Sequence, residues 1–245
     1  MGEICYQKRQ GESNTATKHN LKPDTVLKEF WRDNGRFADI FNAALFQGKP
    51  VIDPGKLQES DTDLSSVLRF GSHAETVQKI LDVVKKTSDG TDLAILGLEN
   101  QQHIHYGMPL RVMLGDAFAY QKEYQSLAKK NKDRKHLDSP EEFLSGFRRE
   151  DRLHPIITVC LYYGEKEWDG PFSLADMLEI PAGFQEAVTD YRMHLVQVRD
   201  SGQLRFQNPD VQTVFEVSRS IFRKDYGKIE ERYRQQDIDA ELGIV

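Results

Sequence analysis

Apolar positions along the chain recur with helical spacing in some stretches and as short unbroken or alternating runs in others, so both helices and strands are expected. The first helical set is Val26, Leu27, Phe30 and Trp31, with Asp24 placed to cap it. Asp33-Asn34-Gly35 interrupts, and Phe37, Ile40, Phe41, Ala44 and Leu45 form a second set that Gly48 and Pro50 stop. Residues 1–20 are polar and aperiodic and predict a loosely packed or disordered tail. KPVIDPGKLQESDTD reads as loop with a short extended piece, and SSVLRFG as a short strand.

The clearest supersecondary pattern is ILDVVKKTSDGTDLAILGLENQ. Two apolar runs flank Asp89-Gly90, a hairpin dipeptide, which predicts antiparallel strands over 80–86 and 93–99. Leu93 to Leu98 is apolar on both faces, as a central strand is. Pro109 suits the first turn of a long helix from Leu110 to about Lys130, with Leu110, Met113, Leu114, Ala117, Phe118 and Tyr124 as its core face. SPEEFLSGF predicts a capped helix, HPIITVCLYYG a strand, SLADML a short helix and MHLVQVRD a last strand. NPDVQTVFEVSRSIFRKD and the charged segment after it predict C-terminal helices. Strands and helices mix along the chain, so the expected class is α/β or α+β.

Composition narrows the setting. A chain of 245 residues can hold one sizeable core, or one domain with an appendage, and 38% apolar with 29% charged residues fits a soluble globular protein. The longest apolar run, IITVCLYY, is too short for a membrane span, so no membrane association is expected. The N-terminal stretch has no apolar segment of a secretory signal. Cys5 and Cys160 are the only cysteines, which excludes a disulfide framework and suits a reducing, cytoplasmic location. The net charge of -6 argues against coating nucleic acid by bulk electrostatics but leaves room for a local basic groove.

The chemistry concentrates at the hairpin. Period-2 geometry puts Glu99 and Gln101 on one face at the end of a strand. If Asp89 and Gly90 are the whole turn, or with any loop of even length, Asp82 shares that face; an odd loop turns it away. Asp82 sits in an apolar run, so it needs a partner or a metal. Two crowded carboxylates suit a hard divalent cation such as Mg²⁺ (or Mn²⁺), and a plain polar cluster is the other reading. His103 and His105 lack a third ligand nearby and read as loop hydrogen-bonding groups. Cys160 reads as a buried small hydrophobe, and Met108, Met113 and Met177 as core filler. Glu123 and Gln125 repeat the Glu-x-Gln spacing on a helix and read as solvated surface. Asp39 falls away from its helix's apolar stripe and is expected in solvent. No Gly-rich phosphate loop and no GxSxG occurs.

LGLENQQHIHYGMPLRVMLGDAFAY resembles the signature of the recombination-promoting nuclease/transposase (Rpn) family of the PD-(D/E)XK nuclease superfamily. FADIFNAALFQGKPVIDPGKL, ILDVV, FLSGFRREDRLHPIITVCLYYG and WDGPFSLADML carry the resemblance over roughly residues 20 to 225. It implies an α/β, restriction-endonuclease-like core, a mixed β-sheet flanked by α-helices. Residues 21–205 would form that domain, after the tail of 1–20 and before C-terminal helices in 206–245. It also implies Mg²⁺-dependent cleavage of DNA. Asp82 and Glu99 would match the motif acids and metal ligands, Gln101 the third catalytic position, and Asp39 an acid contributed to the metal by the N-terminal helix. Leu81 stands where the motif has proline, and Gln101 where it usually has lysine. Glutamine is neutral and can orient a water but supplies no charge. Two functions stay open: a metal-dependent DNA endonuclease, and a catalytically degraded module of the same fold that binds DNA or protein. The oligomeric state is open too, a homodimer included.

Overall fold

The two N-terminal apolar sets become helices α1 (Pro23–Arg32) and α2 (Asn34–Phe46) in the computed structural model, which describes residues 23–60, 67–70, 73–76, 83–98 and 104–233. Asp33 ends the first helix and caps the second, its carboxylate accepting from Arg36 N at 2.8 Å. Gln47 (φ 58°) and Gly48 (φ 81°) close α2 in left-handed conformation. A β-carbon on Gly48 would lie 2.7 Å from the carbonyl oxygen of Arg205, so only glycine fits there. Asn42 holds the chain that follows, donating to Ile52 O at 3.0 Å and accepting from Ile52 N at 2.8 Å.

Strands β1 (Gln58–Glu59), β2 (Val67–Phe70), β3 (His73–Thr76), β4 (Val83–Lys86) and β5 (Asp92–Leu98) come next. Helices α3 (Met108–Asp133) and α4 (Pro140–Ser145) lead to β6 (Ile156–Tyr162) and β7 (His194–Gln197), and α5 (Pro209–Phe222) and α6 (Tyr226–Tyr233) complete the described chain. β2 and β3 pair with each other; β3 was not among the expected strands. SLADML forms only a 3₁₀ turn at Ala175–Met177, and the last strand ends in a 3₁₀ segment, Val198–Gln203.

The main sheet has five strands in the order β1-β4-β5-β6-β7, antiparallel from β1 to β5 and parallel from β5 to β7. This is a mixed α/β architecture with helices on both faces. One face carries Val83, Leu93, Val159, Leu161 and Val196 against Trp31, Phe37, Phe41 and Phe215 from α1, α2 and α5. The other carries Val84, Cys160 and Tyr162 against Met108, Val112 and Phe118 from α3. Each large apolar side chain so buried contributes about 1.5–3 kcal/mol. Trp31 also donates to Tyr163 Oη at 3.0 Å, which satisfies its buried N–H.

α3 is rotated from its expected face. Leu110 and Leu114 are each 40% exposed, while Met108, Val112, Gly115, Asp116 and Phe118 are buried. The helix lies on the sheet through one stripe, and that stripe includes an acid. Met177 is at the surface and not in the core. Among the described residues no helix is long and apolar enough to cross a membrane.

Lys85 is fully buried on β4 and caps the end of α1. Its Nζ donates to Arg32 O and, at 2.6 Å, to Asn34 Oδ1. Burial pulls its pKa below the usual lysine range.

Candidate active site

β4 and β5 are antiparallel, so the start of β4 and the end of β5 face one edge of the sheet. Asp82 immediately precedes β4 and Glu99 immediately follows β5 in the chain. Asp82, Glu99, Gln101 and His103 themselves lie outside the described residues.

The turn between the strands differs from the expected one. Pairing runs from Val83↔Ile95 to Lys86↔Asp92, and Thr87 N donates to Thr91 O at 2.9 Å. The loop is therefore Ser88-Asp89-Gly90, three residues and not two. Asp89 explains the extra residue: its carboxylate takes the hydroxyl of Thr87 and, at 3.2 Å, the amide of Thr91, which bridges the loop from within. Gly90 takes the left-handed position at φ 96°. With an odd loop, even positions of β4 share a face with even positions of β5. Unbroken pleating would then set Asp82 on the opposite face from Glu99 and Gln101. A single bulge would return it to their face.

Helix α3 leaves the same edge and runs back along β6. Its hydrogen bonds show the direction: Thr158 donates to Asp116 at 2.6 Å, and Ile156 N donates to Tyr120 Oη at 3.1 Å. Near its start His105 Nδ1 accepts from Gly107 N at 3.2 Å, a loop hydrogen bond as expected for it. Tyr106 is exposed, and its hydroxyl donates to Asp169 at 3.1 Å, which raises its pKa. These two residues, with Phe172, Asp176 and Met177, line an open cavity of about 590 Å³.

The basic residues Arg111, Lys129, Lys130, Arg148 and Arg149 are divided between the two ends of α3. Arg111 lies near its start, close enough for its charge to act on Cys160. Lys129 and Lys130 lie near its other end, roughly 28 Å away along the axis at 1.5 Å per residue. Arg148 and Arg149 belong to that far end, where Asn131 donates to Gly146 O at 3.1 Å and Arg148 pairs with Glu150. The length of the helix causes the separation.

Asp39 is buried, not solvated. Its two oxygens accept from Gln207 N at 2.8 Å and Asn208 N at 3.1 Å, so it ties α2 to the chain entering α5. Burial raises its pKa and outweighs the lowering by those two bonds. Among the described residues no group of three or more His, Cys, Asp or Glu side chains is arranged to hold a metal ion.

A second buried acid escaped the sequence analysis. Asp116 accepts from Thr158 and from the Tyr191 hydroxyl, in the layer between α3 and the sheet. Burial raises its pKa and also that of Tyr191. Beside it, Cys160 is buried as expected, and burial pushes its thiol up to about 12. The available signal was the spacing 108, 112, 115, 119, which places position 116 on the buried stripe. A carboxyl whose folded pKa is raised binds its proton more tightly in the folded state, so its contribution to stability grows as pH falls from the raised value toward 3.8. Asp116→Asn removes this titration. The stability of wild type relative to Asp116→Asn is expected to increase between pH 7 and pH 4 in parallel urea titrations. A difference that is flat or declines as pH falls would contradict this.

Glu123 is not free surface either. It binds His154 twice, at the ring Nδ1 and at the backbone N (3.1 Å). Comparison with protein-family models, with curated proteins and with solved structures finds no match.

Proposed function

We propose that the protein is a Mg²⁺-dependent DNA endonuclease whose active site lies at the open end of the β4–β5 hairpin. One observation supports the reading: the start of β4, which Asp82 precedes in the chain, and the end of β5, which Glu99 follows, face one edge of a mixed, helix-flanked sheet. Carboxylate oxygens are the donors that Mg²⁺ or Mn²⁺ takes. Asp82 and Glu99 would hold the ion, with a bulge between them that restores a common face. When bound, the ion would lower the pKa of a water and neutralise charge on the phosphoryl oxygens. Gln101 would orient the attacking water through its carboxamide, which accepts one proton and donates others but supplies no charge. Arg111, near the start of α3, would hold a backbone phosphate. In this reading Asp39 keeps its two backbone partners and stays out of the metal shell.

The three-residue turn favours a second reading. With Asp82 and Glu99 on opposite faces the chain would be a nuclease-fold module that binds DNA or protein without cutting. A supercoiled plasmid assay separates the two. Nicking with Mg²⁺ that stops in EDTA is expected for the endonuclease; no nicking at any Mg²⁺ or Mn²⁺ concentration leaves the binding module. For both DNA-binding versions, affinity for a duplex is expected to fall steeply between 50 and 200 mM salt, because phosphate contacts release counterions. Affinity independent of salt, read by fluorescence anisotropy, would remove DNA as the partner.

A further inference from the structure

Outside the hairpin, α5 and α6 enclose a cavity of about 530 Å³ with three arginines on its wall, Arg219, Arg223 and Arg232. Their surroundings differ. Arg232 is neutralised by Glu216 at 2.9 Å, and Glu216 also accepts from Tyr233 Oη and Gln212 Nε2, each at 2.9 Å. That carboxylate is fully engaged. Arg219 is partly buried, and its described side-chain bond goes to a neutral group, Ser201 Oγ at 3.0 Å. Burial lowers its pKa, and the positive charges of Arg223 and Arg232 lower it further against the pull of Glu216. Arg223 follows one helical turn later on the same side of α5 and is exposed at the cavity's lip.

A partly buried guanidinium that faces a cavity and two like charges is favoured by a further anion beside it. Its planar fork of N–H donors is a geometry suited to paired phosphate oxygens. Ser220, also on the wall, adds a hydroxyl donor. Asp225 and Glu231 also line the cavity, and Asp225 N donates to Ser220 O at 2.9 Å.

We propose that Arg219, Arg223 and Ser220 form a phosphate-binding subsite between α5 and α6. The bond to Ser201 ties it to the segment that follows β7. Since β5 and β7 both run parallel to β6, this is the edge that β5 also reaches, two strands across, roughly 10 Å at 4.8 Å per strand. The phosphate can come from a polynucleotide backbone or from a free phosphate, and the two sources are separable.

The test uses the full chain and two probes: inorganic phosphate by calorimetry, and a labelled single-stranded oligonucleotide without terminal phosphates by anisotropy. Arg223→Gln is the primary variant because its side chain is exposed; Arg219→Lys keeps the charge but loses the fork. Arg148→Gln, on a distant loop, is the control. Phosphate binding that weakens at least tenfold in Arg223→Gln and Arg219→Lys, but not in Arg148→Gln, supports a site open to free phosphate. The same pattern with the oligonucleotide alone supports a backbone subsite. Wild type that binds neither probe, or Arg223→Gln that binds both as wild type does, overturns the proposal. Glu99→Ala retains the subsite in every case, so failure of the nuclease reading leaves this result intact.

Discussion

Glu99→Ala is expected to reduce Mg²⁺-dependent plasmid cleavage to background, and Asp82→Ala to do the same. Each removes one of two charged oxygen donors, so metal affinity and turnover should fall together. Gln101→Ala leaves both donors in place. Mg²⁺ binding should survive while turnover drops on the order of 10²-fold or less, the usual loss for one positioning or acid–base group. Gln101→Lys restores a positive charge beside the scissile phosphate and should keep or raise activity, because an ammonium stabilises developing negative charge. Supercoiled DNA is the substrate, with Mg²⁺ binding measured calorimetrically on the same preparations. Glu99→Ala that cuts as well as wild type would show contamination or a site elsewhere. Gln101→Ala equal to wild type beside a dead Glu99→Ala would keep the acids and dismiss the water-orienting role.

Asp39→Ala is expected to cost on the order of 3 kcal/mol of stability, because it removes a buried carboxylate that accepts from two backbone amides. For a domain of this size that lowers Tm by roughly 6–12 °C. Asp39→Asn retains one acceptor and should lose less. The resemblance that implied Asp39 as a metal acid makes a different forecast, a loss of Mg²⁺ affinity with stability intact. Thermal unfolding and Mg²⁺ titration of Asp39→Asn therefore decide between clamp and ligand. A stable variant with tenfold weaker Mg²⁺ binding would overturn the clamp; an unstable one with ordinary Mg²⁺ affinity would uphold it.

Much of the fold was legible in the order of residues. Local rules set the helices: Asp33 interrupts one and caps the next, Pro109 opens α3, and Ser139 and Gly146 bracket α4. β-Branched and aromatic runs flanked by turn residues located β5 and β6, and the burial of Trp31, Phe37 and Phe41 follows from their helical spacing. Cys160 was recognisable as a buried thiol for the same reason.

What the order of residues did not determine depended on partners distant in the chain. The hairpin's parity rested on one loop residue, and the contest was settled by Asp89 bridging Thr87 and Thr91 inside the turn. Asp39 looked solvated on its own helix because the amides of Gln207 and Asn208, which draw it inward, come from 168 and 169 residues away. Asp116 was hidden for the same reason, its hydroxyl partners lying on β6 and on the approach to β7. Arg111 and the pair Lys129 and Lys130 share one helix, whose length sets them near its opposite ends. Periodicity reports which side of an element is apolar. Whether a polar group on that element is buried depends on whether a distant backbone or hydroxyl arrives to satisfy it, and tertiary packing alone decides that.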